Sequence, residues 1–145
     1  MNVVIVYDSR SGNTADAARQ ISDLFRQKGH EVESHPVAEA GAVTASADLL
    51  CVGSWTQGLL VVGQHPTAAI LRWIDGLPPL AGKPAVVFCS YAIAAGGTLA
   101  KMASALSAKG AAVRWQLPFR GRRARDLSGF SSWIQEGAKS PAPRP

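Results

Sequence analysis

No apolar stretch of this chain approaches the roughly 20 residues that a helix needs to cross a bilayer, and no basic segment with a cleavable apolar run precedes the first strand-like residues. A cytoplasmic protein without a membrane partner is expected. Cysteine is scarce: Cys51 and Cys89 both fall inside apolar runs, so they read as small buried hydrophobes rather than a disulfide or a metal pair. The histidines, His30, His35 and His65, show no ligand spacing with one another or with the cysteines. No metal site is expected.

Several motifs of nucleotide and acyl chemistry are also missing. No Gly-x-x-x-x-Gly-Lys-Ser/Thr loop is present, which excludes the usual cradle for a triphosphate with magnesium, and no Gly-x-Gly-x-x-Gly opens a helix to take a dinucleotide. There is no Gly-x-Ser-x-Gly elbow and no thiol in the first loop. Gly53-Ser54 stands where a receiver domain would carry its phosphorylated Asp. No catalytic residue is assigned.

What the chain has is alternation. The continuous apolar runs Val3–Val6, Leu49–Val52 and Ala85–Cys89 read as strands buried on both faces. Glu31–His35, closed by Pro36, reads as a strand near an edge, and Ala112–Leu117 as the last strand. Helical spacing joins Ala17, Ile21, Leu24 and Phe25 in a helix over Asn13 to Lys28 stopped by Gly29. A second helix begins near Pro66 and turns Ile70, Trp73, Ile74 and Leu77 inward. A third, capped by Thr98, carries Leu99, Met102, Ala103 and Leu106. Leu127, Phe130 and Ile134 share a face of the last, and Val37–Ala47 suggests a short extra helix. One α/β domain over residues 1–139 is expected, a doubly wound parallel sheet with helices on both faces, followed by a disordered Pro-rich tail over 140–145.

In such a sheet every loop that leaves a strand reaches the same rim, where ligands bind. The first of these loops, Tyr7-Asp8-Ser9-Arg10-Ser11-Gly12-Asn13-Thr14, turns a strand into a helix. Ser9, Ser11 and Thr14 bring hydroxyls, Gly12 lets the backbone bend, and the first N–H groups of the helix have no partner within it. That is a socket for one phosphate. The loops after the third and fourth strands add Trp55 and Tyr91 on the same rim, so the phosphate is expected to carry a flat ring.

The segment Tyr7-x-Ser9-x-Ser11-Gly12-Asn13-Thr14 resembles the phosphate-binding signature of flavodoxins. Leu49–Thr56 is similar to that family's second flavin loop, and Gly82–Tyr91 to its fourth strand and third loop; with Gly96-Gly97 beyond, the loops look closest to the flavodoxin domains of flavodiiron proteins. The resemblance covers the chain up to the tail and implies a flavodoxin-like five-stranded parallel sheet of order 2-1-3-4-5. It also implies FMN as cofactor. Ser9, Arg10, Ser11, Gly12, Asn13 and Thr14 would hold its phosphate, while Ser54, Trp55, Thr56, Gln57, Gly58, Ser90, Tyr91, Ala92 and Gly96 would line its ring. Trp55 departs from the Pro common at that place, and Ile93 falls where some relatives have an aromatic.

Many flavodoxins are strongly acidic, whereas this chain has a formal net charge of +5 and an isoelectric point of about 9.7. Arg114, Arg120, Arg122, Arg123 and Arg125 form a basic cluster around the last strand and its loop. It reads as a solvated loop or as a docking patch for an acidic redox partner, in preference to a nucleic-acid contact. The apolar run Leu59–Val62 in the second loop reads as a docking or dimer surface, or as residues buried against the neighbouring helix. The expected function is electron transfer between redox protein partners. A small FMN-dependent NAD(P)H:quinone-type reductase and a partner-binding module without flavin are the alternatives.

Overall fold

The computed structural model describes residues 1–41, 47–59, 62–124 and 126–138. Three strands, β1 (Asn2–Asp8), β3 (Leu49–Trp55) and β6 (Pro84–Tyr91), form the middle of the molecule. Their side chains alternate between two apolar layers, as the pleat requires. Val3, Ile5, Leu49, Cys51, Val86 and Phe88 join the layer under α1 (Asn13–Gln27) and α4 (Ser128–Gln135). Val4, Val6, Leu50, Val52, Val87 and Cys89 join the opposite layer, against α2 (Ala68–Asp75) and α3 (Thr98–Ala108). Helices therefore cover both faces.

The flanking strands are β2 (Glu31–Pro36), β7 (Ala112–Arg120) and the short β8 (Arg123–Ala124), giving a sheet of order β2-β1-β3-β6-β7-β8. The first five of these in the sheet pair in parallel, which is the expected 2-1-3-4-5 order, and β8 adds an antiparallel edge. The chain runs outward from β1 to β2 and then returns to the far side of β1. The rim between β1 and β3 is thus the topological switch point. A separate antiparallel hairpin, β4 (Gln57–Leu59) with β5 (Val62–His65), occupies the expected second loop. Val62 is exposed on it rather than buried against a helix, while Leu60 and Val61 lie outside the described residues.

Several local expectations shift. Pro66 lies before helix α2 and not in its first turn; Thr67 caps the helix, its hydroxyl accepting the Ile70 N–H at 3.3 Å. Helix α3 starts on Gly97, and Thr98 is its first residue, buried, with no hydrogen-bond partner for its hydroxyl among the described residues. The expected helix after β2 is a single 3₁₀ turn over Val37–Glu39, and residues 42–46 lie outside the described residues, as do Arg125 and the tail. Strand β7 runs beyond Leu117 through Pro118, which sits beside an edge covered only by β8 and so removes no central ladder bond. Arg114 is the extra residue of a bulge, between Val113 opposite Ala85 and Trp115 opposite Val86, six residues before Arg120 and away from the rim. It does not belong to the basic cluster.

Burial pushes the Cys51 thiol far above the ordinary thiol range and the Cys89 thiol up to about 11. Neither thiol ionises at neutral pH, so both act as packing groups.

Candidate functional site

The first loop is shaped by Gly12, whose φ of +93° is open to glycine at little cost. The ladder of α1 begins when Asp16 N–H donates to the Gly12 carbonyl at 2.9 Å, and Ser9 Oγ takes the Ala15 N–H at 3.2 Å. The N–H groups of Ser11, Gly12, Asn13 and Thr14 find no acceptor among the described residues. Four adjacent donors at the positive end of a helix suit one anion.

Two hydrogen-bond sets hold this loop to its neighbours. Thr14 Oγ1 and Ser90 Oγ lie 2.7 Å apart, both buried, joining the start of α1 to the end of β6. On the other side Thr67 Oγ1 donates to Asp8 Oδ2 at 2.6 Å, and Thr67 N–H donates to Ser54 Oγ at 3.0 Å. The Ser54 hydroxyl in turn donates to the Trp55 carbonyl at 2.7 Å. Buried, mutually satisfied groups of this kind fix geometry. They tie together the ends of β1 and β3 and the start of α2.

Between the loops lies a cleft of about 310 Å³ lined by Arg10, Ser11, Asn13, Trp55, Thr56, Ser90, Tyr91 and Ala92. All eight were predicted from sequence, and they come from three separate strand ends. The Arg10 guanidinium stands 5.2 Å from the centroid of the Trp55 ring, a cation–π contact. A neighbouring cavity of about 180 Å³ takes Gln57 and Gly58, together with Gln64, Ile93 and Ala94. Of the remaining predicted residues, Gly12 and Thr14 face the socket through their backbone N–H groups, while the other side chains predicted for the site support the cleft. Ser9, Thr14 and Ser54 spend their hydroxyls on the bonds above, and Gly96 packs on Gln64, where a Cβ would stand 2.6 Å from the Gln64 Cβ.

The basic cluster divides. Arg122 turns toward the socket, its Nε donating to Asn13 Oδ1 at 3.1 Å. Arg120 and Arg123 face away from it, into a groove of about 550 Å³ on the outer side of Tyr91, with Ile93, Ala95 and Pro118 among its apolar walls. No local signal in the sequence separates the three arginines. Only the β7–β8 turn, which places residues 120 and 123 opposite each other, sends Arg122 the other way.

Superposition on solved structures decides the fold. The Megasphaera elsdenii flavodoxin in its two-electron reduced form matches with a TM-score of 0.77 at 24% identity, over 94% of this chain and 97% of that one. The chain has the flavodoxin fold. An archaeal flavodoxin matches equally well, with a TM-score of 0.77 at 21% identity over 97% of this chain and all (100%) of that one. The Flv1 flavodiiron core from Synechocystis matches over 83% of this chain and 31% of that one, with a TM-score of 0.65 at 18% identity. No family model and no curated protein matches the sequence. On the flavodoxin fold the 310 Å³ cleft stands at the switch point of the sheet, beyond the carboxyl ends of β1, β3 and β6. No helix among the described residues is long and apolar enough to cross a membrane.

Proposed function

We propose that this flavodoxin-like chain binds FMN noncovalently and carries electrons between protein partners. The observation that supports this most directly is the cleft itself. It joins four unpartnered backbone donors, at Ser11 to Thr14, to a cavity flanked by Trp55 and Tyr91. A phosphate monoester on a flat ring matches that pairing, and the free donors and aromatic walls fit FMN. Bound FMN would supply one- and two-electron transfer. The amides of Ser11, Gly12, Asn13 and Thr14 would hold its phosphate, and Trp55, Thr56, Tyr91 and Ala92 would flank its ring and exclude water. The positive charge of Arg10, held over the Trp55 ring, favours a reduced anionic flavin.

Titrating FMN into the purified protein should quench flavin fluorescence with a one-to-one endpoint and give a yellow complex. A protein that stays colourless and leaves FMN fluorescence unchanged would remove both the carrier and the reductase readings and leave the flavin-free module. Steady-state NADPH oxidation by the loaded protein alone would favour the reductase.

The groove beside Tyr91 supports docking of an acidic partner. Arg120 and Arg123 are cross-strand neighbours in the β7–β8 hairpin, a like-charge pair that costs stability, and neither has an acidic partner among the described residues. An anionic surface brought against them would relieve that repulsion. Charge reversal, R120E with R123E, should slow reduction by a protein donor about tenfold at low salt, with the difference shrinking as salt is added. Unchanged rates at low salt would remove docking from this groove.

A further inference from the structure

Arg122 is the one member of the described basic cluster whose position the docking reading leaves without a role. The turn that carries it is pinned on two sides. On one side Gln20 of α1 donates to the Arg122 carbonyl at 2.8 Å. On the other, Gly121 N–H donates to the Tyr91 carbonyl at 2.8 Å. The β7–β8 turn therefore bridges the helix that begins at the phosphate socket and the loop that carries the aromatic wall. A φ of +60° at Gly121 gives the turn its shape.

That bridge sets the guanidinium on the socket. Its Nε donates to Asn13 Oδ1, and its terminal nitrogen lies 4.0 Å from where a Cβ on Gly12 would stand. Asn13 and Gly12 both contribute free N–H donors to the socket. An arginine has five donors, and the bond to Asn13 uses one of them. Among the described residues no carboxylate pairs with it. The other described arginine of the cleft, Arg10, is turned onto Trp55, so Arg122 is the cation that faces the anion site.

We infer that Arg122 is the residue by which this socket selects a phosphate monoester, so that the chain distinguishes FMN from riboflavin. The inference rests on the FMN reading of the cleft and adds to it a residue 109 positions away in sequence from the loop it serves. The backbone amides alone supply hydrogen bonds, which a neutral ligand or water can also satisfy. A fork of charged donors gains chiefly from a doubly charged oxygen cluster. The guanidinium is exposed, so its contribution falls as salt rises.

The test compares dissociation constants of FMN and riboflavin, from fluorescence quenching, for the wild type, Arg122→Ala and Arg122→Lys. The alanine variant should bind FMN ~10- to 100-fold more weakly, the effect of losing a charge-assisted contact, and riboflavin within about twofold of wild type. Lysine, which keeps the charge but not the fork, should fall between. The salt dependence of FMN binding should flatten in the alanine variant. Equal losses for both ligands would mean that Arg122 only holds the hairpin in place, and unchanged FMN affinity would mean that it does not reach the phosphate. Either overturns the inference while leaving FMN as the ligand. A wild type that binds neither ligand would remove the flavin reading and the inference with it.

Discussion

Replacing Gly53 by alanine should destabilise the protein by about 3 kcal/mol or more, at the upper end of the range for overpacked cores. A Cβ at this position would stand 2.2 Å from both Cε2 and Cζ of Phe88 and 2.6 Å from its Cδ2. Those atoms belong to a ring with no solvent exposure, lying directly across from Gly53 in the β3–β6 register. Neither partner can retreat: the glycine is in the centre of a parallel sheet, and the ring is packed in the layer under α1 and α4. For a chain of this size each kcal/mol lowers the melting temperature by roughly 2–4 °C, so a fall of about 10 °C is expected. Shortening the ring in the double variant G53A/F88L should recover part of the loss, with a coupling of about 1–3 kcal/mol. A melting temperature within about 2 °C of wild type for G53A would show that the ring does not lie over the glycine. Gly53 immediately precedes Ser54 and Trp55, and Phe88 lies two residues before Ser90, so the same substitution should also loosen both walls of the cleft.

The clash belongs to a class of fact that a single sequence hides. Val3–Val6, Leu49–Val52 and Ala85–Cys89 announce buried strands by composition, because only strands covered on both faces can be apolar at every position. The strand–helix alternation then restricts the topology to a doubly wound sheet. What does not show is which residue stands across from which. That Gly53 makes room for Phe88 depends on the register of two strands more than thirty residues apart. The same holds for the Thr14–Ser90 and Asp8–Thr67 bonds, each between side chains distant in sequence. The β4–β5 hairpin was hidden for another reason. Its residues follow a buried strand and contain Gly58 and Gly63, both with positive φ, so composition alone reads as an irregular loop.

In the candidate site the residues at the strand ends were legible and their division of labour was not. Loops after parallel strands must share a rim, and that topological fact alone brings Ser11, Trp55 and Tyr91 together. Whether a hydroxyl faces the cleft or its own scaffold is decided by local bonding: the hydroxyls of Ser9, Thr14 and Ser54 are bonded within the scaffold, whereas Ser11 lines the cleft. The arginines show the same limit. As a string, Arg120-Gly121-Arg122-Arg123 is a charge run; folded into a tight hairpin it becomes a pair facing a groove and a single cation facing a socket.

Removal of the aromatic walls should have the largest effect on ligand binding, and a signature opposite to that of Arg122. Trp55 and Tyr91 are half-buried at the ends of β3 and β6, which are themselves held in register by the sheet, so both side chains are positioned before any ligand arrives. Preorganised walls lose little side-chain freedom on binding and give up their stacking energy when truncated. A flat ring stacked on one aromatic side chain loses roughly 1–3 kcal/mol when that side chain becomes alanine. W55A and Y91A should each weaken FMN binding by about 10- to 100-fold, and the double variant by about 1,000-fold. Riboflavin carries the same ring, so its affinity should fall by the same factors. If W55A and Y91A weakened FMN while leaving riboflavin untouched, the two residues would be acting on the phosphate socket and not on the ring. If neither affinity moved, the ligand's ring would lie outside this cleft, and the neighbouring groove lined by Arg120 and Arg123 would become the site to probe by the same substitutions.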